Sequence, residues 1–251
     1  LTISLWGNQS DLSLWPAGEG GPGADREPGS REMIIVDDAR RAAEHLMARP
    51  DGPVRVDFLG DNAGFELITD LALIDYLLTS GAAGVVHMHL KAHPTFVSDA
   101  MDEDVYDTIA FLTLEDNEAV QTLGKHLRGH LDAKRLILRE DFYWNSPLPL
   151  WGMPRTLQDE MIGSHLVISK GDANYRRLLG DRHWTFTEDF ERVLSYFPPP
   201  LLAVRACKSE VAIGLKPGQA PALSQRDSDW MTNGEWGMIQ FKPATRGNPE
   251  E

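Results

Sequence analysis

A single cysteine, Cys207, stands in a chain of 251 residues, so no intramolecular disulfide can staple the fold. No apolar run approaches the roughly 20 residues that a helix needs to cross a bilayer. The opening Leu1-Thr2-Ile3-Ser4-Leu5-Trp6 lacks the charged, apolar and small-residue zones of a secretion signal. Basic residues are scarce, 24 against 38 acidic ones, for a formal charge of −14. That balance removes the basic footprint of a nucleic-acid binder and repels anionic membranes, so neither is expected as a partner. A glycine-rich strand-to-helix loop of the usual cofactor type is also missing. The tryptophans follow no stacking rhythm, which favours packing over base recognition. A reducing compartment is expected, cytoplasmic and extending to the nucleus, and the start at Leu1 reads as a fragment of a longer chain.

What is present suits one large core: 42% of residues are hydrophobic and 25% charged, which predicts a single α/β domain over residues 1–251. Residues 17–30, rich in Gly, Pro, Glu and Asp, are expected to be a mobile loop. Helical spacing marks residues 36–47. An alternating apolar pattern at 54–59 then runs into Gly60-Asp61-Asn62-Ala63-Gly64, and helical spacing returns over 65–78. Further strands are predicted at 84–90, 135–138, 165–169, 201–204 and 237–241. Further helices are predicted between 102 and 131, after Thr156, after Asn174, and over 208–213. Strands alternating with helices imply a mostly parallel, Rossmann-like sheet covered on both faces, a three-layer α/β/α arrangement. Ligands then belong at the carboxyl ends of its strands.

Asp61 and Asn62 follow the first of these strands directly, and a carboxylate beside an amide oxygen suits a hard cation. Taken alone, the pair reads more readily as turn chemistry and a helix cap. Asp99, in Phe96-Val97-Ser98-Asp99, holds the equivalent place after the next strand, or caps the helix that follows. Lys170-Gly171-Asp172-Ala173-Asn174-Tyr175-Arg176 ends a third strand and opens a helix, where amides and the cations Lys170 and Arg176 can hold a phosphate. Arg205 and Lys208 bring two cations to a fourth strand end, as an anion clamp or a solvated helix start. His87 and His89 share a strand face but lack a third ligand at zinc spacing, so they read as core histidines.

Read together, Leu5-Trp6-Gly7-Asn8, Asp61-Asn62-Ala63-Gly64-Phe65-Glu66, Phe96-Val97-Ser98-Asp99, Lys170 to Arg176 and Arg205-Ala206-Cys207-Lys208 resemble the metal-dependent damage-control phosphatase family. The match is to its eukaryotic-type branch that acts on sugar phosphates, also described as protein-glutamate O-methyltransferases, and extends through Gly237-Met238-Ile239-Gln240-Phe241. The resemblance implies a phosphatase that uses Mn²⁺, or Mg²⁺, Co²⁺ or Ni²⁺, on a small phosphorylated metabolite such as fructose 1-phosphate or fructose 6-phosphate. It puts the metal on Asp61, Asn62 and Asp99, and substrate contacts on Asp172, Asn174, Tyr175, Arg176 and Lys208, with Glu66 at a further family position. Ala206 stands where the family motif has threonine. Asp172 is expected to position water or a sugar hydroxyl. Two other classes stay open: an S-adenosylmethionine-dependent carboxyl methyltransferase and a non-catalytic phosphate-binding module. Members of the branch carry a helical region before the α/β domain, most of which is expected to be missing here.

Overall fold

A computed structural model describes residues 1–7, 31–48 and 52–245; the loop expected at 17–30 and Asn8 lie outside the described residues. In chain order the elements are α1 (Thr2–Trp6), β1 (Ile34–Asp37), α2 (Ala39–Met47), β2 (Arg55–Leu59), α3 (Phe65–Thr79), β3 (Val85–Lys91), α4 (Asp102–Leu114) and α5 (Glu118–Asp132). They continue with β4 (Leu136–Asp141), α6 (Arg155–Ile162), β5 (Leu166–Lys170), α7 (Asp172–Leu179), α8 (Phe190–Val193), β6 (Leu201–Ala206), α9 (Gln219–Arg226) and β7 (Gly237–Lys242).

Alternation along each strand sorts side chains to two faces. On one face Val56, Phe58, Val86, Met88, Leu166 and Ile168 pack beneath α3, α4 and α5. On the other, Leu59, Val167 and Ala203 pack beneath α6, α7 and α8. Helix α3 buries Leu67, Leu71, Ile74 and Leu78, spaced three or four apart as a single helical face requires. Each such side chain, fully buried, contributes roughly 1.5–3 kcal/mol, and this burial on both sides of the sheet makes the three-layer order stable.

The strand order is β1-β7-β6-β5-β2-β3-β4. From β4 through β6 the strands are parallel. Strand β7 runs antiparallel to β6, and β1 runs with β7. The sheet is thus mostly parallel, as expected. After β2 the chain moves outward to β3 and β4, then returns to place β5 on the other side of β2. The order reverses at β2, and the carboxyl ends of β2 and β5 are where an open α/β sheet places its ligand crevice.

Two expectations need correction. The helix predicted over 36–47 begins as the end of a strand and continues as a shorter helix, because Val36 and Asp37 complete β1 against β7 before Ala39 opens α2. Residues 208–213 form no helix: Val211 and Ile213 are buried in an irregular segment whose carbonyls accept from Arg205 and Gln240. Helices α1, α8 and α9 have no counterpart in the sequence reading.

Candidate active site

Asp61 and Asn62 leave β2 at the crevice, and Asp99 comes from the loop after β3. Asn62 and Asp99 meet in an isolated antiparallel bridge, with Ala63 N–H donating to the Ser98 carbonyl at 2.7 Å and Ala100 N–H to the Asp61 carbonyl at 3.0 Å. Two strand-end loops are thereby stitched together by their backbones. The side chains converge on one cation: Lys91 Nζ lies 3.0 Å from Asp61 Oδ1 and 3.1 Å from Asp99 Oδ1, and donates to the Asp61 carbonyl at 2.6 Å. Asp99 Oδ2 accepts from Thr95 and Phe96 N–H, both at 2.9 Å. Asn62 Oδ1 accepts from Ser98 Oγ at 2.8 Å, while its Nδ2 donates to Glu66 Oε2 at 2.9 Å.

The β5 end closes on the same point. Gly171 has φ +84°, and a Cβ built on it would sit 1.8 Å from Asp61 Oδ2. Glycine is therefore required twice, by backbone conformation and by space. The next residue, Asp172, accepts on Oδ1 from Arg205 Nη1 at 2.6 Å and from Lys208 N–H at 3.2 Å. Asn174 donates to the carbonyls of Gly60 at 3.1 Å and Lys170 at 2.9 Å, tying α7 to the end of β2.

Beneath the crevice Lys170 is fully buried. It bonds the Ser4 carbonyl at 2.7 Å and pairs with Asp70 at 2.8 Å and Glu66 at 3.4 Å. Ser4 Oγ donates to Asp70 Oδ1 at 2.6 Å, so α1 completes this cluster. Burial pushes the Glu66 carboxyl up to about 7, with Lys170 pulling it down and Asp61 and Asp70 adding to the rise. Burial alone would lower Lys170, but Asp70 and Glu66 outweigh it and raise its pKa.

The predicted residues thus fall into three groups. Asp61, Asn62, Asp99, Glu66 and Asp172 gather at the crevice, with Asn174 bracing it. Lys170, Tyr175 and Arg205 are buried and occupied internally: Tyr175 donates to Gln240 at 2.7 Å, and the Arg205 guanidinium lies 3.9 Å over the Tyr175 ring. Arg176 points outward in a two-bond pair with Asp181 at 2.7 and 2.8 Å. Lys208 borders the crevice through its main-chain bond to Asp172. His89 Nε2 donates to Asp57 Oδ1 at 2.8 Å, within the core.

Three residues escaped the sequence reading. Lys91 is one, although its alternation with His87 and His89 places it on their buried face at the strand end. Arg177 is another: its Nη1 donates to Asn174 Oδ1 at 2.9 Å, and helical spacing from Asn174 puts it, rather than Arg176, on that side of α7. Burial lowers its pKa, opposed by Asp61, Tyr143 and Asp99. The third is Asn145, which only the tertiary fold brings to the loop before Asp99.

The donors suit a hard divalent cation: two carboxylates and an amide oxygen, gathered in a buried crevice. Among the described residues no group of three His, Cys, Asp or Glu side chains is placed to hold a metal.

A family model described as the damage-control phosphatase ARMT1-like domain matches residues 1–223. The chain belongs to this family. Among curated relatives named Damage-control phosphatase ARMT1, that of Mus musculus is 37% identical over 256 residues, covering 96% of this chain and 57% of its own length. That of Danio rerio is 36% identical over 260 residues, covering 98% and 58%, and that of Homo sapiens 34% over 258 residues, covering 96% and 57%. The chain therefore spans little more than half the length of these family members. A solved DUF89 family protein from Pyrococcus horikoshii shows a weaker likeness, with TM-score 0.42 and 16% identity over 75% of this chain and 48% of that one.

Proposed function

We propose that the crevice is the active site of a metal-dependent phosphatase for small phosphorylated metabolites, with fructose 1-phosphate and fructose 6-phosphate as the first substrates to test. The observation that carries this reading is the convergence of the Asp61 and Asp99 carboxylates on Lys91, beside the Asn62 amide, at the reversal of strand order. Asp61, Asn62 and Asp99 would hold Mn²⁺, with Mg²⁺, Co²⁺ or Ni²⁺ as substitutes. A divalent cation bound there supplies Lewis-acid polarisation of a phosphoryl group.

The chain's own residues do the rest. Lys208 and the first main-chain amides of α7 face an anion at the end of β5 and neutralise charge that builds on its oxygens. Arg176 can join them only by leaving Asp181. Asp172 accepts from Arg205 and Lys208 on Oδ1, which makes Oδ2 the atom to take a proton from water or a sugar hydroxyl. Arg205 holds that carboxylate in place. Glu66 orients the Asn62 amide through its bond to Nδ2.

Substituting Asp61 by Ala is expected to cut Mn²⁺-dependent phosphate release from these esters by about two to three orders of magnitude while the cooperative melting transition persists. A folded variant that turns over at the wild-type rate would refute the assignment.

A further inference from the structure

The bridge to Asn62 holds the Asp99 end of the loop after β3, but its middle is not held by packing: Phe96 is 66% and Val97 96% exposed. Its first half is tied by one amide. Asn145 ends a short 3₁₀ turn, Phe142–Asn145, just after β4. Its Oδ1 accepts from Ala92 N–H at 3.1 Å, and its Nδ2 donates to Thr95 Oγ1 at 3.0 Å and to the His93 carbonyl. One side chain thus satisfies three groups on the loop, and the Thr95 and Phe96 amides that follow are the ones that fix Asp99 Oδ2.

The turn is itself fastened to the opposite wall of the crevice. Arg177 donates to the Ser146 carbonyl at 3.0 Å, to the Trp144 carbonyl and to Asn174 Oδ1, and Asn174 reaches the Gly60 carbonyl. A continuous frame therefore runs from the end of β2 through α7 and the 142–146 turn to the Asp99 loop. We propose that Asn145 is a positioning residue that sets Asp99 in the crevice, with Arg177 anchoring the turn on which it stands. The proposal rests on the reading of Asp61, Asn62 and Asp99 as metal ligands. Residues that orient ligands from behind typically change metal affinity by about ten- to a hundredfold when removed.

The test is Mn²⁺ titration of the whole chain, following free Mn²⁺ by electron paramagnetic resonance, with melting measured on the same samples. Asn145→Ala is expected to bind Mn²⁺ about tenfold more weakly than wild type while still melting cooperatively. Thr95→Ala, which removes one of the three bonds, is expected to lose about threefold. A folded Asn145→Ala variant with wild-type affinity overturns the proposal. Should that variant fail to fold, wild-type affinity in Thr95→Ala overturns it instead. A wild-type chain that binds no Mn²⁺ would overturn the metal-ligand reading and take this proposal with it, whereas wild-type binding that Asn145→Ala leaves unchanged removes the positioning role alone.

Discussion

Lys91 is 2% exposed and shares its ammonium between two carboxylates that are themselves 6% exposed. Charges taken this far out of water are tolerable only while they compensate one another. Replacing Lys91 by Met keeps the stem and removes the charge, leaving Asp61 and Asp99 facing each other unpaired. Breaking a buried pair in this way costs about 3–5 kcal/mol. The missing positive charge is one that a divalent cation can restore. The variant is therefore expected to melt well below wild type in a chelator and to regain more on Mn²⁺ addition than wild type gains. Calorimetry with and without Mn²⁺ measures both shifts, and a deficit that Mn²⁺ leaves untouched would show that Lys91 and the cation do not act on the same two carboxylates.

At the scale of elements, the strand-to-helix junction between β5 and α7 decides how close the two walls of the crevice come. Gly171 combines φ +84° and ψ +165° with contact against Asp61, a backbone region in which a side chain costs about 1–3 kcal/mol. Gly218, with φ +80°, has no atom within 4 Å of a built Cβ, so Gly218→Ala meets strain without collision. Gly171→Ala is expected to destabilise more than Gly218→Ala and, unlike it, to lower phosphate release at least about tenfold by displacing Asp61. Equal activities in the two variants would contradict this. Such junctions are legible because a buried parallel strand running into a glycine and a carboxylate leaves a local signature, which marks Asp61 and Asp172; Asp99 has no glycine beside it and is marked only by its place in the loop after β3. Other features left none. Strand β1 abuts α2, so its apolar residues merged with the helical spacing of Ala39, Ala42 and Leu46. The 208–213 segment owes its form to bonds from Arg205, in the strand just before it, and from Gln240, 27 residues beyond Ile213 in β7. Arg176 and Arg177 are adjacent and chemically alike, and only the rotation of α7 sends one to Asp181 and the other to Asn174.

Stability of the whole molecule against pH integrates buried carboxylates of opposite sign, Asp57 on one side and Asp70 and Glu66 on the other. For Asp57, burial would raise the pKa, but the bond and charge of His89 and the charge of Arg55 outweigh it and leave it lowered from 3.8. Asp57 therefore contributes stability above that value, and the contribution is lost as acid protonates it in the native state. Glu66 runs the other way. Its ordinary value is 4.5, and burial pushes it up to about 7, so between those values the native chain keeps a proton that the unfolded chain has released. Stability then falls as pH rises through that window. A chain with a formal charge of −14 also gains self-repulsion with rising pH, so the slope alone does not isolate Glu66. The comparison with Glu66→Gln does, because glutamine retains an acceptor for Asn62 and cannot ionise. Metal-free denaturant unfolding from pH 4 to 8 is expected to show wild type losing stability relative to Glu66→Gln between about 4.5 and 7, with parallel acid limbs set by Asp57 below. Curves that stay parallel through neutrality would mean that Glu66 ionises in the native state as readily as in the unfolded chain.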